Sequence, residues 1–273
     1  MGRPNPQSPP KPVMPWMTHV IELRDRLMRS LIVVVVILVP LAFFSRELFT
    51  VLAGPLTAHL PEGTSMIATD VASPFLTPFK LALMTSIALA MPFILHQVWG
   101  FVAPGLYHRE QSFAAPLLIS SVALFYSGIA FAYFVVFPLV FGFLTSVAPE
   151  GVTVATDINS YLDFVLALFF AFGLAFEVPV ATVLLVKTGF TTPAALATKR
   201  PYIFLGAFVA GMFLTPPDII SQTLLAVPMY LLFEVGIIMS KILVPGYKEV
   251  EAQRAELAAQ EAAEEAAQEQ ENS

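Results

Sequence analysis

Cysteine is absent and charge is scarce. None of the 273 residues is a cysteine, which excludes disulfides, thiol catalysis, iron–sulfur clusters and cysteine-ligated zinc. Only 12% of residues are Asp, Glu, Lys or Arg, about half of the roughly 25% usual in a soluble chain. A soluble enzyme, a DNA-binding module and a disordered regulator therefore all fit poorly. What is present instead is apolar: 57% of residues are hydrophobic and the mean hydropathy is +0.76, so the chain reads as an integral membrane protein. The net charge of −6 belongs to one end, because residues 249–273 hold eight glutamates against Arg254 and leave +1 for residues 1–248.

Catalytic signatures are missing as well. There is no P-loop, no G-x-S-x-G and no H-E-x-x-H, and the four histidines, His19, His59, His96 and His108, fall in different segments. Neither an enzyme nor a bound metal or cofactor is expected.

Residues 1–16 form a flexible lead-in, since Pro4, Pro6, Pro9, Pro10, Pro12 and Pro15 deny helix hydrogen bonds. No A-x-A-like cleavage site follows, so the first apolar run reads as a retained signal anchor. Uncharged runs cover 30–45, 81–108, 111–149, 164–176 continuing past Glu177 to 186, 201–217, and 219–233 continuing past Glu234 to 240. In lipid each backbone amide must be satisfied within its own segment, and alternation is weak, so an all-α membrane domain of six helices over residues 17–245 is expected. An acidic tail, 246–273, follows as a solvated helix or disordered segment.

The 39 uncharged residues of the third run would make a helix of roughly 58 Å, against a bilayer core of about 30 Å. Loop charge decides between one span and two. Six spans with both termini inside place 12 basic residues in cytoplasmic segments and only Arg46 and Lys80 outside, whereas a seventh span gives 6 inside and 8 outside. The positive-inside rule favours one long helix, broken or protruding near Pro138 and Gly142. Helices 5 and 6 are expected to be short, because Tyr202–Leu214 has 13 residues and about 15 precede Glu234. Outside, a short helix is expected near 46–53, and 148–162 has acids but no base.

Three carboxylates stand out. Glu22 with Arg26, and Asp25 with Arg29, have i,i+4 spacing; such pairs stabilise a helical turn, or they hold a carboxylate at the membrane surface for a cationic partner. Glu110 is the one acid in the loop Trp99–Glu110; it either starts the next helix, where the dipole favours an acid, or forms part of the same site. Glu177 lies near the middle of the fourth span, where an ionisable group costs at least ~2.5 kcal/mol, so function is the default. Thr215, Ser221, Gln222 and Thr223 make a polar cluster at the outer tip of the last hairpin, suited to joining a partner helix or to locking the fold.

The segments His19–Arg24, Ser73–Phe75, Phe101–Tyr107, Phe131–Phe134, Phe176–Pro179 and Leu214–Asp218 resemble those of TatC, the bacterial twin-arginine translocase subunit family. The resemblance runs from about Met17 to Lys241, with the motifs in order. It implies a six-helix receptor in the bacterial inner membrane, with both termini cytoplasmic. Such a receptor binds twin-arginine signal peptides of folded precursors, oligomerises, and works with single-span TatA- and TatB-type subunits under the proton-motive force. It implies no nucleic-acid partner. By position it assigns Glu22, Arg24, Phe101, Leu106 and Glu110 to signal-peptide binding and Glu177 to an intramembrane functional role. Met212, Thr215 and Gln222 would meet partner helices, and Pro55 and Asp218 would be sensitive external positions. Gln111 departs from the family, which often has a base there. A chemical reason accompanies the resemblance: two guanidinium forks call for two carboxylates, set among aromatics that accept the adjoining apolar segment. The competing reading is a proton- or ion-coupled small-solute transporter using Glu177 and Glu234, weakened by the missing internal repeat.

Overall fold

The computed structural model describes residues 15–57, 66–102, 114–146, 157–214 and 219–244, with 246–249, 251–252, 256 and 260 beyond them. Its helices, in chain order, are α1 (Pro15–Phe43), α2 (Ser45–Thr57), α3 (Ser73–Val102), α4 (Ala114–Phe131), a π-helical segment (Ala132–Val136), α5 (Phe137–Ser146), α6 (Ile158–Ala175), α7 (Val178–Lys187), α8 (Pro193–Thr198), α9 (Arg200–Leu214) and α10 (Ile219–Leu243). Among the described residues there is no strand, only an isolated parallel bridge between Ile67 and Asp157. Five stretches are long and apolar enough to cross a membrane: Val20–Phe43, Ser73–Phe101, Ala115–Phe143, Ile158–Lys187 and Ile219–Leu243. The 15 residues of α9 are not.

One expectation needs correction. The sixth helix is not short, because α10 runs for 25 residues, through Glu234 and on to Leu243. Glu234 does not stop it, since Arg200 and Tyr230 engage the carboxylate. Of the two alternatives for the third run, a break near Pro138 and Gly142 is not seen. Helix continues from Ala114 to Ser146, and the disturbance lies just before the proline, in Ala132–Val136. A proline has no N–H and its ring crowds the carbonyl one turn earlier, so the preceding turn widens. Phe137 accordingly donates its N–H to the Ala132 carbonyl, five residues back.

The fourth run bends at Phe176–Glu177, between α6 and α7, where Pro179 removes a backbone donor. The short helix expected near 46–53 is present as α2, while α3 begins at Ser73, before the uncharged run does.

The largest buried cluster among the described residues joins the π-helical segment, α5, α6 and α10. Ala132, Val136, Val140, Leu168, Phe172 and Leu225 form a buried cluster. Glycine permits two of the close approaches: a Cβ on Gly128 would lie 2.5 Å from the Phe172 carbonyl oxygen, and one on Gly236 would lie 2.8 Å from Thr182 Oγ1. Without a hydrophobic force between helices in lipid, such small-residue contacts carry much of the association. Helix α1 is different, resting mainly on α3 and leaving Leu27, Val36 and Phe43 exposed.

One polar end is tied by Lys80 and Asp163, which form an ion pair between α3 and α6. There too Asp157 caps α6, accepting from the Ser160 N–H at 3.0 Å, and from the Thr69 N–H at 3.1 Å and hydroxyl at 2.9 Å. The Ser160 N–H and the Thr69 donors hold its carboxyl below the usual carboxylate range.

Candidate functional site

The first candidate region is built by α1 against α3. Glu22 and Arg26 are one turn apart on α1, and Glu22 Oε1 accepts from both Arg26 Nη2 at 2.6 Å and Arg26 Nε at 3.1 Å. Arg26 Nη1 donates across to the Gln97 carbonyl of α3 at 3.2 Å. The guanidinium lies over Gly100, where a Cβ would come within 2.2 Å of Nη1. Below this polar mouth is an apolar groove of about 450 Å³ between the two helices, lined by Leu23, Leu27, Leu31, Val34, Ile94 and Phe101 among others. Phe101 thus sits at the last turn of α3, on the groove.

Arg24 points elsewhere. It pairs with Asp25 at 2.8 Å, its side chain 69% exposed, so Asp25 is engaged by its neighbour and not by Arg29 as the i,i+4 spacing suggests. An exposed pair of this kind is worth ~0–1 kcal/mol. Leu106 and Glu110 lie outside the described residues, as do Gln111, Thr215 and Asp218. Pro55 falls within α2.

The second region lies within Ile158–Lys187, one of the stretches long and apolar enough to cross a membrane. Glu177 occupies the turn between α6 and α7, and its Oε1 is buried without a hydrogen-bond partner. Ser121 of α4 is its hydroxyl neighbour, and Ser121 Oγ accepts from Trp99 Nε1 of α3 at 3.3 Å. Polar groups therefore follow one another from Trp99 of α3 through Ser121 of α4 to the acid. The ring of Phe176, next to it in the chain, packs on Phe131 with centroids 5.6 Å apart, and Phe131 meets Phe172 at 5.5 Å. A carboxyl in such surroundings is a demanding acceptor for any donor brought into the membrane.

The third region is the α9–α10 hairpin. Arg200 makes a bidentate pair with Glu234, Nε to Oε1 at 2.6 Å and Nη2 to Oε2 at 2.8 Å, and the Tyr230 hydroxyl donates to Oε1 at 2.8 Å. Gln222 Nε2 donates to the Phe208 carbonyl at 2.8 Å, tying the two helices. Thr223 turns back to the Ile219 carbonyl of its own helix. Met212 is half exposed on α9.

Glu234 speaks against the transporter reading. A carrier acid must release and rebind its proton or ion, and this one is clamped by a permanently charged fork. Sequence reasoning missed Arg200, Gln97, Ser121 and Trp99 as partners. Arg200 and Glu234 are 34 positions apart, a distance at which no periodicity pairs them.

Comparison with known proteins supplies the family. Residues 18–228 match the family model described as Sec-independent protein translocase protein (TatC). The TatC protein of Azotobacter chroococcum mcd 1 is 62% identical over 224 residues, covering 82% of this chain and 88% of that one. That of Escherichia coli K12 is 59% identical over 230 residues, covering 84% and 89%. A crystal structure of the twin-arginine translocase receptor TatC superposes with a TM-score of 0.75 at 37% identity, covering 82% of this chain and 98% of that one. These are translocase components and not enzymes, and the chain belongs to the TatC family of Sec-independent protein translocase proteins.

Proposed function

We propose that this chain is the core receptor of a twin-arginine translocase, binding the twin-arginine signal peptides of folded precursors. It would organise TatA- and TatB-type single-span subunits, and further copies of itself, for export driven by the proton-motive force. The observation that carries the proposal is a carboxylate, Glu22, at the mouth of an apolar groove between α1 and α3. A signal peptide has the complementary order, with guanidinium groups followed by an apolar segment. Arginine forks pair with carboxylates in two-point geometry that lysine does not match. Glu22 and Glu110 are the proposed pair of acids, with Arg24, Phe101 and Leu106 beside them.

Six spans with both termini cytoplasmic are proposed for the chain in the bacterial inner membrane. The 12-to-2 division of bases supports that orientation. The short α9 would cross where the bilayer thins or where neighbouring helices shelter its ends. Glu177 is proposed to draw a polar group of the signal or of a partner into the membrane, its buried Oε1 supporting the role. Met212, Thr215 and Gln222 are proposed to face partner helices, and Pro55 and Asp218 to act at the external face.

Photocrosslinking of a twin-arginine peptide to membranes carrying Glu22→Ala or Glu110→Ala tests the binding site. Labelling is expected to fall in both; undiminished labelling in both overturns the assignment.

A further inference from the structure

The signal site holds an arginine of its own. Arg26 gives two donors to one oxygen of Glu22, the contact that an incoming guanidinium would make. We propose that Arg26 is an internal competitor for the receptor carboxylate: it occupies Glu22 in the unliganded chain, and a twin-arginine peptide binds by taking its place. The inference rests on the reading of Glu22 as a signal-binding acid.

Three features hold the competitor ready. The i,i+4 spacing on α1 brings the fork onto Glu22. The Gln97 carbonyl takes Nη1. Gly100, lacking a Cβ, leaves the hollow in which the guanidinium lies. The last two contacts do not involve Glu22, so the arginine can release the carboxylate while keeping its seat on α3. Release then breaks two bonds to Glu22, and the peptide restores them. The pair is only partly exposed, with 22% of the Arg26 side chain and 34% of the Glu22 side chain accessible, so an unoccupied Glu22 would lose part of its hydration with nothing in return. Arg26 removes that cost in the resting receptor and raises the affinity threshold a ligand must pass. Weak cationic segments fall below the threshold, and this is selection against the wrong partner by occupation of the site.

An arginine that merely oriented Glu22 for its ligand would have the opposite signature, since its loss would weaken binding. The test is a titration of a photocrosslinkable twin-arginine peptide against membranes carrying the full chain with its Tat partners. Arg26→Gln is expected to lower the half-saturating peptide concentration by about two- to fivefold, the worth of a partly exposed ion pair. Gly100→Ala keeps the charge but places a methyl group where the guanidinium lies, and is expected to shift the curve in the same direction. It also carries the test if Arg26→Gln fails to accumulate. Arg29→Gln removes an equal charge from an exposed position and is expected to change the curve less. Unchanged or weaker labelling in Arg26→Gln and Gly100→Ala overturns the proposal, as does an Arg29→Gln effect equal to that of Arg26→Gln. Glu22→Ala separates the two readings. Labelling retained there overturns Glu22 as the acceptor, whereas labelling lost there with Arg26→Gln and Gly100→Ala inert overturns the competitor alone.

Discussion

The α1–α3 edge and the α4–α6–α10 body each present a carboxylate, and they hold it by opposite means. At the edge, Glu22 is ion-paired, with 34% of its side chain accessible, on a helix that touches little besides α3. In the body, Glu177 has an unpartnered buried oxygen and sits among helices packed to the limit glycine allows. The edge gives a site whose partner can be exchanged at small cost. The body gives a site kept in place by its surroundings, where an acid can stay underbonded because packing supplies the stability elsewhere. A helix covered on one side only suits exchange of a ligand at its surface; a helix covered on several sides suits holding a costly group in the interior.

This contrast orders the expected effects. The largest lies in the body: Gly128→Leu drives a side chain into the Phe172 carbonyl, 2.5 Å from the first added atom, and should destabilise the fold by about 3 kcal/mol. Thermal unfolding in detergent would show it, and an unchanged midpoint would mean that α4 and α6 are not in this contact. Next, on the role proposed for Glu177, Glu177→Ala should leave the unfolding midpoint within a few degrees while lowering export by about tenfold, since an unpaired buried acid is a cost to folding. A stabilised variant with normal export would break that half of the comparison.

A smaller effect concerns the polar tie at Asp157. The Asp157 carboxyl is held below its ordinary value of 3.8, so its contribution is complete above that value and is lost as pH falls through it toward the lowered folded value. Wild-type thermal stability should therefore drop more steeply than that of Asp157→Asn between about pH 5 and pH 3; parallel curves would remove Asp157 as the cause. The smallest effect is at the edge, where Val36→Ala on the exposed face of α1 should change stability by less than about 0.5 kcal/mol. A large loss would show that the face is covered in the membrane.

Most of the spans were legible because a helix in lipid must exclude charge, and uncharged runs record that directly. The misread length of the last helix shows the limit of the signal. Glu234 reads as a boundary only while its partner is unknown, and Arg200 reaches it through the fold. The same holds at the edge: the Glu22–Arg26 spacing is visible locally, whereas the Gln97 carbonyl and the Gly100 hollow come from a different helix. Asp25 was misassigned to Arg29 because spacing gives the candidates and not the choice among them; the structure has it with Arg24. Pro138 correctly marked a disturbance, but its steric effect acts on the turn before it.

That widened turn has a geometric consequence for the whole body. One residue added to a regular helix advances every later side chain by about 100° around the axis. Helix α4 can therefore present one stripe to α6 while α5, on the same rod, presents another to α10. Ala132, Val136 and Val140, from the widened turn and the helix after it, share one buried cluster with Leu168 of α6 and Leu225 of α10. A single continuous helix thus serves two neighbours in different directions, acting as the coupling through which the last hairpin is keyed to the rest of the bundle.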